Sequence, residues 1–351
     1  MIRPLLAGAT ALVMTATPAF AQDSASQPAP SSPAYEPQDA LEKGLWFEMD
    51  EAEREFRTSK FIIHDPDLNA YVRGVLCRTV GEDRCGAARI YILRTPQFNA
   101  SMAPNGAMLV FSGLLLRMRD EAQLAAVLGH EFTHFENRHS LRLFRDMRAK
   151  TDLMSWLSIA PVRVPYAAAM ATQVAIVGSV YSFSREMERE ADAGSIAELV
   201  RGGYDPRAAS AVWAQLRAEM DATARERRHR SDKDRNGGIF ASHPGTGDRM
   251  ATLAQLAESA AAGRPDLALR AAEYRQALAG WWPQLIADQI ALQDFGGTEY
   301  LLQTLAGDAA DGWTGDLLYA RGELYRSRGK ADDYAAAAGF FRQAIATGTA
   351  P

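Results

Sequence analysis

The chain has 351 residues, 47% of them hydrophobic, with 38 Lys and Arg against 43 Asp and Glu and a net charge of -5. That acidic balance argues against nucleic acid as a partner. With only six histidines and two cysteines, any ordered spacing among them is informative.

The N-terminus, MIRPLLAGATALVMTATPAFAQDS, has one early positive charge at Arg3, an apolar run from Leu5 to Val13, and Ala19-Phe20-Ala21 before a polar start. This is the layout of a cleaved secretory signal over residues 1–21, cut after Ala21. An uncleaved anchor is the alternative, but the run is short for a bilayer, so no stable transmembrane anchor is expected after cleavage. No cysteine stands at the cut to take a lipid. Residues 22–38 are rich in Pro, Ser, Ala and Gln and have no aliphatic residues to bury, so they read as a disordered linker.

A helix with charged faces is expected from Asp39 to Arg57, and a second after Asp65-Pro66-Asp67 through Leu68, Val72, Val75 and Leu76. His64 stands alone before it and reads as structural. Cys77 and Cys85 flank a short loop containing glycine. In an exported chain such a pair most simply forms a disulfide, worth roughly 2–3 kcal/mol at most. A redox or metal-binding pair is the alternative, which the spacing disfavours. Arg89–Leu93 alternates and is β-branched, so it reads as a strand. Met108–Phe111 reads as another, reached through the Pro104-Asn105-Gly106 turn.

In DEAQLAAVLGHEFTHFENRHS, Leu124, Val127, Leu128 and Phe132 recur at helical spacing. No proline falls between Asp120 and Arg142, so the run reads as one helix. His130 and His134 then lie one turn apart on one face, where two imidazoles can close on one metal ion. Glu131 is rotated away from the ion but within reach of a water bound to it. With six histidines, this pattern arises by chance in on the order of one such chain in a hundred. His139 lies five residues from His134, the wrong spacing for the same ion, and reads as a packing or hydrogen-bonding histidine.

Residues 153–183 hold two apolar runs separated by Val162-Arg163-Val164-Pro165. The second is mostly Ala, Val, Gly and Ser, with Thr172 and Gln173 inside. It reads as a buried helix under the site rather than a membrane span, and the first run reads as a flap. Beyond them, Ser184–Asp192 is again helical. Glu188 and Asp192 are one turn apart, so Glu188 can complete a metal site while Asp192 sits behind it and orients a ligand. Glu186 and Glu190 point away from that face and read as solvated. The helix continues to Gly202-Gly203, and another runs from Pro206 to about Arg225, ending in a charged loop.

Taken together, HExxH and a downstream ExxxD inside an SRxxExEAD-type run resemble the gluzincin family of HtpX and the CAAX prenyl proteases. Within it they are most similar to the periplasmic quality-control proteases of BepA and LoiP type. Asn99-Ala100-Ser101, Pro104-Asn105-Gly106, Gly113-Leu114-Leu115, Ser242-His243-Pro244 and Arg249 add to the resemblance, which covers roughly residues 40–260. It implies an α+β zincin-type core, mainly helical with a small β-sheet, one zinc ion held by His130, His134 and Glu188, and Glu131 as general base. It also implies that an edge strand within Asn99–Phe111, with Asn99, Ala100, Ser101 and Gly106, aligns an extended substrate. The other reading is that these strands only support the helix. His243 would act near the metal, as an extra ligand or as a donor to the oxyanion, against a plain loop role. Arg249 would contact substrate or oxyanion, against a structural salt bridge.

The last region, 261–351, is helical and rich in alanine. Leu318, Gly322, Tyr325, Ala337, Phe341 and Ala344 resemble one tetratricopeptide (TPR) unit, too few for a free-standing array, so this part should pack on the catalytic domain (39–260) or a partner. A simple helical cap is the alternative. The resulting expectation is a periplasmic zinc endopeptidase acting on unfolded or misassembled envelope proteins, in contact with outer-membrane assembly machinery. A chaperone or adaptor with an idle zinc site is the competing class. An exopeptidase would need an acidic anchor for the substrate amine, and none is identifiable.

Overall fold

A computed structural model of the protein describes residues 36–150, 183–231, 247–307 and 312–348. The expected signal, nearly all of the linker, the apolar runs up to residue 182, and Ser242-His243-Pro244 lie outside them.

Helix starts follow local chemistry. Asp39, Asp65, Asp120 and Ser184 each accept a hydrogen bond from the amide three residues on, satisfying a donor the first turn leaves free. The helices they open are α1 (Ala40–Arg57), α2 (Pro66–Val80), α5 (Glu121–Glu136) and α7 (Arg185–Arg201). Between α2 and α5 come the short α3 (Glu82–Cys85), strands β1 (Arg89–Leu93), β2 (Ala100–Met102) and β3 (Ala107–Phe111), and α4 (Ser112–Arg117). A Cys77–Cys85 disulfide ties the end of α2 to α3, so the pair offers no thiolate for redox chemistry or for a metal.

The sheet runs β1-β3-β2, with β1 parallel and β2 antiparallel to β3. β3 is therefore central and buried along its whole length, as a strand covered on both faces should be. The expected second strand is thus an inner strand and offers no free edge. The open edge next to it is β2, a strand too short for its alternation to show.

The expectation of one helix over the run from Asp120 to Ser140 is corrected. α5 stops at Glu136, Arg138 takes a left-handed conformation with φ of 53°, and α6 (His139–Lys150) sets off anew. A non-glycine residue there costs on the order of 1–2 kcal/mol. Two contacts with α1 offset that cost. The Arg138 guanidinium lies 3.3 Å from the buried Glu42 carboxylate, and Leu141 and Phe144 of α6 pack with Leu45.

The remaining helices are α8 (Arg207–Arg227), α9 (Gly247–Ala261), α10 (Ala271–Leu278), α11 (Trp282–Ile290), α12 (Phe295–Ala306), α13 (Gly315–Arg328) and α14 (Asp333–Ala346). One core runs from Leu76, Ile92, Val110 and Phe132 through Tyr204 and Leu216 to Tyr274, Leu285, Leu301 and Leu324. The helices after residue 261 therefore share the core of the site-bearing region. The Tyr274 hydroxyl donates to the Leu115 carbonyl at 2.6 Å, and Arg117 joins buried Glu219 and Gln289. α13 and α14 form a hairpin in which Gly322 lies against the Phe341 ring. Among the described residues no helix is long and apolar enough to cross a membrane.

Candidate metal centre

α5 and α7 cross at small residues. A Cβ on Gly194 would lie 2.4 Å from Thr133 Cγ2, and one on Gly129 would lie 3.6 Å from Glu198 Cβ. The Ser195 hydroxyl donates to the Ala126 carbonyl at 2.7 Å. Close approach of the two axes brings Glu188, in the first turn of α7, against His130 and His134 in the last turns of α5.

His130 Nε2 and His134 Nε2 are 3.1 Å apart, and each lies 3.6 Å from a Glu188 carboxylate oxygen. All three residues are buried, and their ligand atoms fall within 4.8 Å of one another. Two ligands bonded to one tetrahedral zinc at about 2.0–2.2 Å sit roughly 3.3–3.6 Å apart. Both the donor set and its spacing therefore suit such an ion.

Each imidazole is held from behind. His130 Nδ1 is 3.2 Å from Asp192 Oδ1. Burial opposes charge on His130, but Asp192 and Glu188 outweigh it and raise the imidazole to about 9; an incoming metal must displace that proton. Asp192 in turn receives two hydrogen bonds of 2.7 Å from Arg249, and Arg249 Nη1 lies 2.7 Å from Glu188 Oε2. Burial works against the Asp192 carboxylate, yet Arg249 and His130 keep it below its usual range. Arg249 is thus paired with two acidic groups of the site and lies over the Trp213 ring.

His134 is stacked on Phe183, with ring centroids 4.0 Å apart, and its Nδ1 is 2.7 Å from His139 Nδ1. His139 Nε2 is 2.8 Å from Glu190 Oε2, which also accepts from Arg142. His139 is a hydrogen-bonding residue, as its spacing implied. Glu190, expected to be solvated, is instead tied to this chain of contacts, because the helix break at Arg138 folds α6 back toward α7.

A cleft opens beside the histidines, lined by Phe98, Asn99 and Ala100 from the β2 side, by His130, Glu131 and Asp192, and by an apolar wall that includes Val212, Trp213 and Leu253. The Glu131 side chain is 4% exposed and faces this cleft. A smaller recess near His134 is lined by Met102, Pro104 and Arg138, so β2 runs between the two. The hydrogen bond from Phe111 N to Asn99 O and that from Ala103 N to Ala107 O set the phase of the ladder. By alternation the amides and carbonyls of Ala100 and Met102 point to the open edge, and those of Ser101 point to β3.

Gly106 does not join the cleft. It forms the β2–β3 turn with φ of 89°, where a Cβ would lie 2.3 Å from the Ala87 carbonyl oxygen. Its neighbour Asn105 is buried and donates to Asp50 and Glu53 of α1. His243 lies outside the described residues. Sequence reasoning missed Met102, Phe98 and the Val212–Trp213 wall. Only the apolar face of α8 could have pointed to the wall, and it does not show which helix it meets.

The model of peptidase family M48 matches residues 82–257. Over 175 residues the chain is 28% identical to a putative beta-barrel assembly-enhancing protease of Vibrio cholerae, covering 47% of this chain and 36% of that protein. Over 165 residues it is 28% identical to the beta-barrel assembly-enhancing protease of Escherichia coli, covering 44% and 34%. Over 150 residues it is 30% identical to the mitochondrial metalloendopeptidase OMA1 of Schizosaccharomyces pombe, covering 42% and 44%. The chain spans less than half the length of each of these relatives.

Proposed function

The chain belongs to peptidase family M48 and is a metallopeptidase, and from that premise we propose that it is an exported zinc endopeptidase that removes misfolded or misassembled envelope proteins. The observation that carries the reading is the buried His130, His134 and Glu188 set at zinc-ligand spacing, with Glu131 facing the same cleft. When bound, the ion would polarise the scissile carbonyl and acidify a water molecule.

The chain's own residues do the rest. Glu131 takes the proton of the attacking water and returns it to the departing amine. Asp192 holds the His130 ring, and Arg249 holds the carboxylates of Asp192 and Glu188, which makes it a positioning residue in this reading. An extended substrate backbone pairs with the outward amides and carbonyls of Ala100 and Met102, contacts that accept many sequences. The apolar wall with Trp213 receives one of its side chains. His243 donates to the oxyanion or holds the site idle between turnovers.

The names of the bacterial relatives refer to β-barrel assembly. Together with the signal-like N-terminus, they support a periplasmic location and outer-membrane β-barrel precursors as substrates. The α13–α14 hairpin, with its resemblance to a TPR unit, is the part we assign to client or assembly-machinery contacts.

The test is casein hydrolysis by the mature chain, with metal content measured in parallel for wild type, Glu131→Gln and His243→Ala. Wild type should cut and carry one zinc, and Glu131→Gln should keep the zinc and lose at least about 100-fold in rate, the lower end for general acid–base catalysis. Full hydrolysis by Glu131→Gln would sink the mechanism. Zinc in all three proteins with no cleavage, and suppressed aggregation of a client, would favour a chaperone instead.

A further inference from the structure

The second ligand histidine has an outer support unlike that of the first. Behind His130 stands a carboxylate directly. Behind His134 stands His139, fully buried, and behind His139 stands Glu190. Both Nε2 atoms of the HExxH pair face Glu188, so a metal-bound His134 carries its proton on Nδ1 and donates it to His139 Nδ1, 2.7 Å away. His139 must then carry its own proton on Nε2 and donate to Glu190 Oε2 at 2.8 Å. Only one pair of tautomers satisfies both contacts. His139 cannot be a further ligand to the same ion, because it meets His134 on the ring nitrogen that faces away from the site.

We propose that His139 and Glu190 are positioning residues that fix the tautomer and orientation of His134 and thereby set the affinity of the site for its metal. The proposal rests on the metallopeptidase reading. Phe183 clamps one face of the His134 ring but can accept no proton, so packing alone leaves the ring free to present either nitrogen. The hydrogen bond to His139 removes that choice. Glu190 supplies the negative end of the chain from a side chain 36% exposed, and Arg142 holds its carboxylate at 3.0 Å. Three elements meet in this arrangement, and the left-handed turn at Arg138 is what brings His139 into it.

Histidine–carboxylate partners behind metal ligands commonly contribute 10–100-fold in affinity. Zinc dissociation constants of the full mature chain, read by competition with a chromophoric chelator, therefore test the proposal. They are paired with the melting temperature of the metal-free protein and with the visible spectrum of the cobalt-loaded form. His139→Phe, which keeps the ring volume, should weaken zinc binding 10–100-fold. Glu190→Ala should do the same from a half-exposed position whose loss spares the core. Glu190→Gln keeps an acceptor oxygen for His139 Nε2 and should lose less than about 10-fold. In each case the metal-free melting temperature should stay within about 1 °C of wild type, as it does in a chain this long when packing is undisturbed, and the cobalt spectrum should change.

Zinc affinity within twofold of wild type in both His139→Phe and Glu190→Ala would overturn the proposal. So would a metal-free melting temperature that falls in step with affinity, since that marks a role in packing alone. Should His139→Phe fail to fold, Glu190→Ala and Glu190→Gln decide the matter between them. A wild-type chain that binds no zinc would instead reject the metallopeptidase reading on which the proposal stands.

Discussion

At the residue scale, the site is built from ionisable groups buried next to their partners, and Asp120 shows what happens where burial outweighs the partners. Its carboxylate caps α5 by accepting from the Gln123 amide at 2.8 Å, yet burial dominates and pushes it up to about 6. A carboxyl raised above its unfolded value near 3.8 favours the folded state most in acid, and that contribution is lost as pH rises from about 4 to about 6. Two pH units correspond to about 3 kcal/mol. Asparagine caps helices as well as aspartate and does not titrate. Urea unfolding of Asp120→Asn should therefore lack this decline, and the variant should be at least as stable as wild type at pH 7. An unchanged pH profile would show that the cap hydrogen bond, not burial, governs Asp120.

At the scale of elements, the decisive event is the close crossing of α5 and α7, since the three side chains of the candidate metal site come from both helices. Gly194 permits it, because any Cβ there would press on Thr133. Gly194→Ala should cost about 1–3 kcal/mol, as overpacking does, and should weaken metal binding by drawing Glu188 away from the histidines. Gly74 lies in α2, where a Cβ would meet nothing within 4 Å. Gly74→Ala should leave metal affinity unchanged and stabilise by about 0.5–1 kcal/mol. Thermal melts with and without zinc would separate the two effects, and equal behaviour of the two alanines would refute the packing account. None of this was legible as spacing. GHEFTH and ADAGS each contain a glycine, but which helix faces which is decided only when they pack.

At the scale of the whole molecule, no break in the core falls near residue 260 among the described residues. Tyr274, Leu278, Leu285, Ile286, Leu301 and Leu302 are buried in the same cluster as Leu76 and Phe132. A chain truncated after Ala261 would expose these contacts, each large side chain being worth about 1.5–3 kcal/mol. It should be insoluble or should lose its cooperative melting transition. A truncated chain that melts as sharply as the full one would show that the C-terminal helices are an independent unit. Arg94 and Asp288 also join the sheet region to α11, with hydrogen bonds of 2.8 Å.

By itself the sequence determined what depends on neighbours along the chain. The caps at Asp39, Asp65, Asp120 and Ser184 are local, and so is the one-turn offset that puts His130 and His134 on one face. The strand at Arg89–Leu93 is local too, and the Cys77–Cys85 bridge spans only eight positions. Tertiary structure alone decided the rest. The order β1-β3-β2 makes a three-residue segment the open edge, a property of strand pairing that no local pattern encodes. The break at Arg138 wins because α1 supplies Glu42 and Leu45 from almost a hundred residues away. Glu190 turns from a surface group into a partner of His139 for the same reason. Helical periodicity reports the face a residue occupies, and only packing reports what that face meets.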